Sequence, residues 1–196
     1  MKRIAFTTFA VLTLSLSPTR PAPASTDARK IDSTHSTMTV RVFKTGVFSA
    51  FAHDHEIEAP IESGEVKESE SPSVELRVDA RKIRVLDPGA SQDTRAQIQK
   101  TMLGPEILDG EHFPEIHFQS TTIEPKGADH WVVQGKLDLH GQTLPVMVDV
   151  TLKDGFYRGS ATLKQTAFGI TPVSIAGGTV KVKDEVKVEF QIVLVK

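Results

Sequence analysis

The chain has 196 residues, 23 of them basic and 25 acidic, for a formal net charge of −2 at neutral pH. That balance excludes the strongly basic surface that a nucleic-acid partner requires. Cysteine is absent, which excludes disulfides, thiolate metal sites and a lipidated N-terminal cysteine.

Residues 1–24 read as a cleaved export signal. Lys2 and Arg3 form a basic start, an apolar run follows from Ile4 to Leu16, and Ala22-Pro23-Ala24 gives a small-x-small pattern before Ser25. The run is too short to cross a bilayer as a stable helix, and no later segment approaches about 20 continuous apolar residues. The expectation is a periplasmic or secreted bacterial protein without a membrane span. Residues 25–35 are polar and are expected to be flexible. Residues 36–196 are long enough for one domain with a sizeable core.

Period-two alternation dominates that domain, as a sheet with one wet face requires. Met38, Val40 and Val42 alternate with Thr39 and Arg41 in a first strand. A second strand covers residues 56–67, and Val74, Leu76 and Val78 mark a third. Residues 91–103 break the pattern: Ile98, Met102 and Leu103 have helical spacing, Ser91 or Asp93 can cap the start, and Gly104-Pro105 stops the helix. Alternation returns with Ile116 and Phe118, then along Trp131 to Leu139. It continues through Val146, Val148, Val150 and Leu152, through Tyr157, Gly159, Ala161 and Leu163, and through Val186 to Leu194. These make about eight antiparallel strands with one helix in a long connection, which can close as a barrel or stack as a sandwich. At eight strands a barrel is filled by side chains or holds one small ligand. Gly135, Gly159 and Ala161 on inward positions permit such a cavity.

His53 and His55 stand two apart, on one face of a strand. They could chelate a metal with a further ligand from His112, His117 or His140, bond a ligand's head group, or be structural. No Gly-x-Ser-x-Gly elbow, His-Glu-x-x-His or Gly-rich phosphate loop occurs, so no catalytic residue is assigned.

Four strings then line up in order. Residues 111–121 read Glu-His-Phe-Pro-Glu-Ile-His-Phe-Gln-Ser-Thr, and residues 137–146 read Leu-Asp-Leu-His-Gly-Gln-Thr-Leu-Pro-Val. Phe168-Gly169-Ile170 and the run 184–194 follow. Together they resemble the YceI-like family over roughly residues 36–196. The resemblance implies an eight-stranded lipocalin-like barrel with an apolar tunnel, and a binding protein instead of an enzyme. It implies a long-chain apolar ligand such as an isoprenoid lipid or isoprenoid quinone, no required cofactor and, since members are often dimeric, a homodimer. Ligand contacts are expected from Phe48, Phe51, Met102, Phe113, Phe118, Leu139 and Phe168, with His53 and His55 near the mouth. The chain departs from the family pattern at residues 44–57, where Thr45 replaces an early His and His53-Asp54-His55 appears.

Overall fold

A computed structural model describes residues 28–45, 54–69, 71–175 and 180–195. The export signal expected at residues 1–24 lies outside the described residues. Strands come first: β1 (Ala28–Lys30), β2 (Thr37–Thr45), β3 (His55–Glu58), β4 (Ile61–Lys67), β5 (Ser73–Asp79) and β6 (Arg84–Val85). Helix α1 (Gln92–Leu103) follows, then β7 (Glu115–Gly127), β8 (His130–Leu139), β9 (Gln142–Lys153), β10 (Phe156–Lys164), β11 (Ser174–Ile175) and β12 (Val180–Ile192). One antiparallel sheet runs β1-β4-β5-β7-β8-β9-β10-β12-β2-β3-β6, with β11 paired on β12.

The described residues thus carry twelve strands where eight were expected. Residues 56–67, read as a single strand, are broken between β3 and β4 at Pro60, which fixes φ and has no N–H for the ladder. The additional short strands β1, β6 and β11 are two or three residues each, too short for alternation to show. Residues 28–31, expected to be flexible, are also corrected. They pair with β4, and Ile31 is buried in the core. Asp32 N–H donates to Val193 O and Val195 N–H to Lys30 O, both at 2.8 Å, while Ile31 bridges Leu194. This segment therefore lies between β4 and the tail of β12, and the sheet curls round as a barrel-like wall.

Two hairpins use the positive φ pairs that match strand twist: His140-Gly141 (51° and 72°) and Asp154-Gly155 (54° and 79°). Helix α1 starts at Ser91, whose Oγ accepts the Thr94 N–H at 3.1 Å, and ends at Gly104. Its Gln99 side chain accepts the Val85 N–H at 2.8 Å and donates to Ile83 O at 2.7 Å. Gln99 thereby covers the open edge of β6, a free edge that would otherwise invite pairing with another chain. Met102 enters a core cluster with Ile57, Ala59, Val78, Ile83 and Val85. A second cluster joins Ile31, Ile61, Ile192 and Leu194. Each large side chain buried this way stabilises the fold by about 1.5–3 kcal/mol.

Candidate ligand-binding cavity

The inward residues of the curled sheet enclose a cavity of about 520 Å³, within the size range of ligand sites. Alternation assigns its wall. Val146, Val148 and Val150 of β9 face the lumen, while Met147 between them is 63% exposed. On β7 the ladder shifts between Ser120 and Thr122, so Phe118 and Ile123 both face inward despite their odd separation. Around this bulge Ser120 Oγ accepts the Val74 N–H at 2.8 Å, and Thr121 donates to Gln134 O at 3.2 Å. The Ser-Thr pair of the sequence string thus satisfies backbone groups at and beside the irregularity.

Gly135 and Gly159 do not leave empty volume, contrary to the simplest sequence reading. A Cβ at Gly135 would overlap the Phe118 ring, and one at Gly159 would overlap the Phe190 ring. Each glycine lets an aromatic ring from the neighbouring strand lie against the wall. Phe118 and Phe190 line the cavity from these positions.

Three of the sequence strings converge at one end of the barrel. His140 occupies the left-handed region and its Nδ1–H donates to Phe168 O at 3.0 Å. The Phe113 ring packs 5.0 Å from the His140 ring, and its edge also blocks the space a Cβ on Gly141 would take. Phe168 is 2% exposed and faces the lumen, followed by the positive-φ Gly169 and buried Ile170. The Phe-Pro, Leu-His-Gly and Phe-Gly-Ile strings therefore build one plug under the cavity.

Of the residues singled out in the sequence, Met102, Phe118, Leu139 and Phe168 line the cavity. Phe113 does not; it stands behind the lining, against the His140-Gly141 turn. Phe48, Phe51 and His53 lie outside the described residues. His55 is not on the cavity wall. Its Nδ1 sits 2.6 Å from the Asp87 carboxylate, which is fully buried and also accepts the Glu56 N–H at 2.7 Å. Among the described residues no group of three or more His, Cys, Asp or Glu side chains could hold a metal ion, and no described helix is long and apolar enough to cross a membrane. His117 instead bonds Glu75 at 3.1 Å and His112 bonds Asp109 at 2.8 Å.

Polar lining residues gather at two places: Lys67, Glu68 and Ser69 at the end of β4, and Lys164 and Gln165 at the end of β10. At the first, the Tyr157 hydroxyl donates to Glu68 Oε1, and Arg29 donates to Glu68 Oε2 at 3.3 Å. Burial first, then the Glu68 hydrogen bond and charge, push the Tyr157 phenol up to about 12. Trp131 leans on Tyr157 with ring centroids 6.1 Å apart. At the second place, Gln165 donates its amide to Lys183 O at 2.8 Å. Tyr157 reads in the sequence only as part of a strand's alternation, and neither it nor Glu68 or Phe190 is among the expected ligand contacts. Glu68 and Tyr157 are 89 positions apart, and only the curled sheet joins them.

A curled antiparallel sheet around an apolar cavity defines a lipocalin-like binding protein. The chain belongs to the YceI-like family: the YceI-like domain model matches residues 30–194. Among curated relatives, the UPF0312 proteins of Pseudomonas savastanoi pv. phaseolicola and Pseudomonas syringae pv. syringae are 36% identical over 103 residues. The match covers 47% of this chain and 54% of theirs, so the chain spans about half the length of the curated relatives it matches. Among solved structures, BcnA of Burkholderia cenocepacia has a TM-score of 0.63 at 21% identity, covering 85% of this chain and 99% of that one. At that identity the likeness shows the fold alone. The Campylobacter jejuni YCEI protein has a TM-score of 0.47 at 12% identity, covering 100% and 99%.

Proposed function

We propose that the chain is an exported carrier or store for a long-chain lipid of isoprenoid type, an isoprenoid quinone included. The observation that carries this reading is the cavity wall: nearly every long strand contributes aliphatic or aromatic side chains to it. About ten buried methylene groups would contribute roughly 8 kcal/mol, the scale of a micromolar Kd, before the cost of ordering the chain. Specific polar contacts are then unnecessary for retention, and no bond-making chemistry is required. Met102, Phe118, Leu139 and Phe168 touch the ligand chain in this reading, while Phe113 supports the plug from behind. The isoprenoid class rests on the family, and export rests on residues 1–24, with the mature chain beginning at Ser25 and reaching the periplasm or the cell exterior.

Native mass spectrometry of protein purified from its producing cells tests the proposal. The expected result is a mass excess equal to one lipid molecule, removed by organic extraction. A protein that carries no excess and takes up none from isoprenoid lipid would overturn it.

A further inference from the structure

We propose that the Tyr157–Glu68 end of the cavity selects the ligand's head group, accepting an uncharged hydrogen-bonding head such as an alcohol and rejecting a carboxylate or phosphate. This inference rests on the lipid-carrier reading and adds the chemistry of the ligand's polar end. The lumen is apolar except at its two ends, so a polar head must sit at one of them. At the β10 end the polar groups serve the fold. Gln165 holds Lys183 O, and the Lys164 charge acts on Asp184, whose carboxylate takes the Thr166 N–H and hydroxyl at 2.8 Å each. Phe168 and Ile170 are buried beside them.

The other end is differently made. Tyr157 is a lining residue whose hydroxyl hydrogen is committed to Glu68, so its oxygen offers lone pairs toward the lumen. Glu68 offers a carboxylate, and Ser69 adds a hydroxyl. A head group that donates a hydrogen bond, such as an alcohol or the hydroquinone form of an isoprenoid quinone, matches these acceptors. An anionic head meets them as like charge or as lone pair against lone pair. Two cations also stand at this end: Lys67 lines it, and Arg29 has its guanidinium shared between Glu68 and the Val195 carbonyl, the latter at 3.4 Å, so the preference rests on the acceptors at the Tyr157 oxygen and Glu68. The Tyr157 phenol reports the same field. The charges acting on it are Glu68 and Asp129, which disfavour an anion, against Arg29, and they add to the cost of burial. An anionic oxygen placed beside that phenol faces the same burial and the same two acids.

Farnesol and farnesoic acid differ only at the head and serve as a matched pair of probes. Each is titrated at neutral pH into the delipidated full chain carrying a neutral fluorescent apolar reporter, with displacement as the readout. Farnesol is expected to bind roughly tenfold more tightly than farnesoic acid. Glu68→Gln should shrink that ratio at least about threefold by strengthening farnesoic acid binding, and Tyr157→Phe should weaken farnesol roughly two- to tenfold. Equal or tighter binding of farnesoic acid by the unaltered protein overturns the head-group inference and leaves the carrier reading standing. So does an unchanged ratio in Glu68→Gln. Failure of both probes to displace the reporter overturns the two together.

Discussion

Replacing Gly135 with alanine should push the Phe118 ring off the wall and into the lumen. The new Cβ would overlap Cε2 and Cζ of that ring and stand 2.7 Å from the Gln119 carbonyl oxygen. The ring can swing, but the carbonyl belongs to the paired strand β7 and can yield only by widening the ladder. Overpacking of this kind costs about 1–3 kcal/mol. Losing the conformational freedom of glycine in the unfolded chain offsets about 0.4–1 kcal/mol of that. The net expectation is a loss of about 1–2 kcal/mol in urea unfolding, or roughly 2–8 °C in Tm for a domain of this size. Phe118→Leu in the same background should recover part of the loss, because the ring conflict disappears while the carbonyl conflict stays. A double-mutant cycle measures that coupling. A neutral or stabilising Gly135→Ala, or additive effects of the two changes, would refute the idea that the glycine exists to seat the ring.

The remaining expectations concern the plug, the register and the pH response. His140→Ala should destabilise by about 1–2 kcal/mol in urea unfolding, since the Phe168 carbonyl, 3.0 Å from Nδ1, loses its donor and Phe113 loses its ring partner. Met147→Lys should leave stability and lipid uptake unchanged, whereas Val148→Lys, one residue on and facing the lumen, should abolish uptake in the displacement assay. Asp79, 8% exposed, is held at about 2, first by the hydrogen bond from Arg81. Its depressed value means that its stabilising contribution is present in full above the unfolded value near 3.8 and is lost as pH falls through about 2. Asp79→Asn should therefore flatten the acid limb of the stability–pH curve between about pH 4 and pH 2; an unaltered limb would assign it to other carboxylates.

Local pattern carried much of the architecture. The alternation at Val146, Val148 and Val150 needed only period two to name the inward face, and Ser91, Met102 and Gly104 marked the helix and its caps. The break at Pro60 was equally visible as chemistry, yet a continuous apolar pattern on both sides hid it. Ile31 shows a different limit. A single apolar residue in a polar stretch has no period, and its burial depends on Leu194 at the far end of the chain. The same holds for the cavity. Gly135 looked like vacant space because the ring that fills it belongs to the next strand. His55 reads in the sequence as a metal or head-group ligand, and its contact with Asp87, 32 positions away, leaves no local signal there. The Tyr157–Glu68 pair was invisible for the same reason. Sequence strings were informative where they encode local geometry, as at His140-Gly141, and silent where function depends on which strands the curl brings together.

A crystal structure of the protein purified from its producing cells, without delipidation, tests the central claim most directly. The account predicts continuous elongated density through the lumen against Phe118, Val148 and Phe168, with its polar end at Tyr157 and Glu68. A lumen filled by repacked side chains or by ordered water would contradict it.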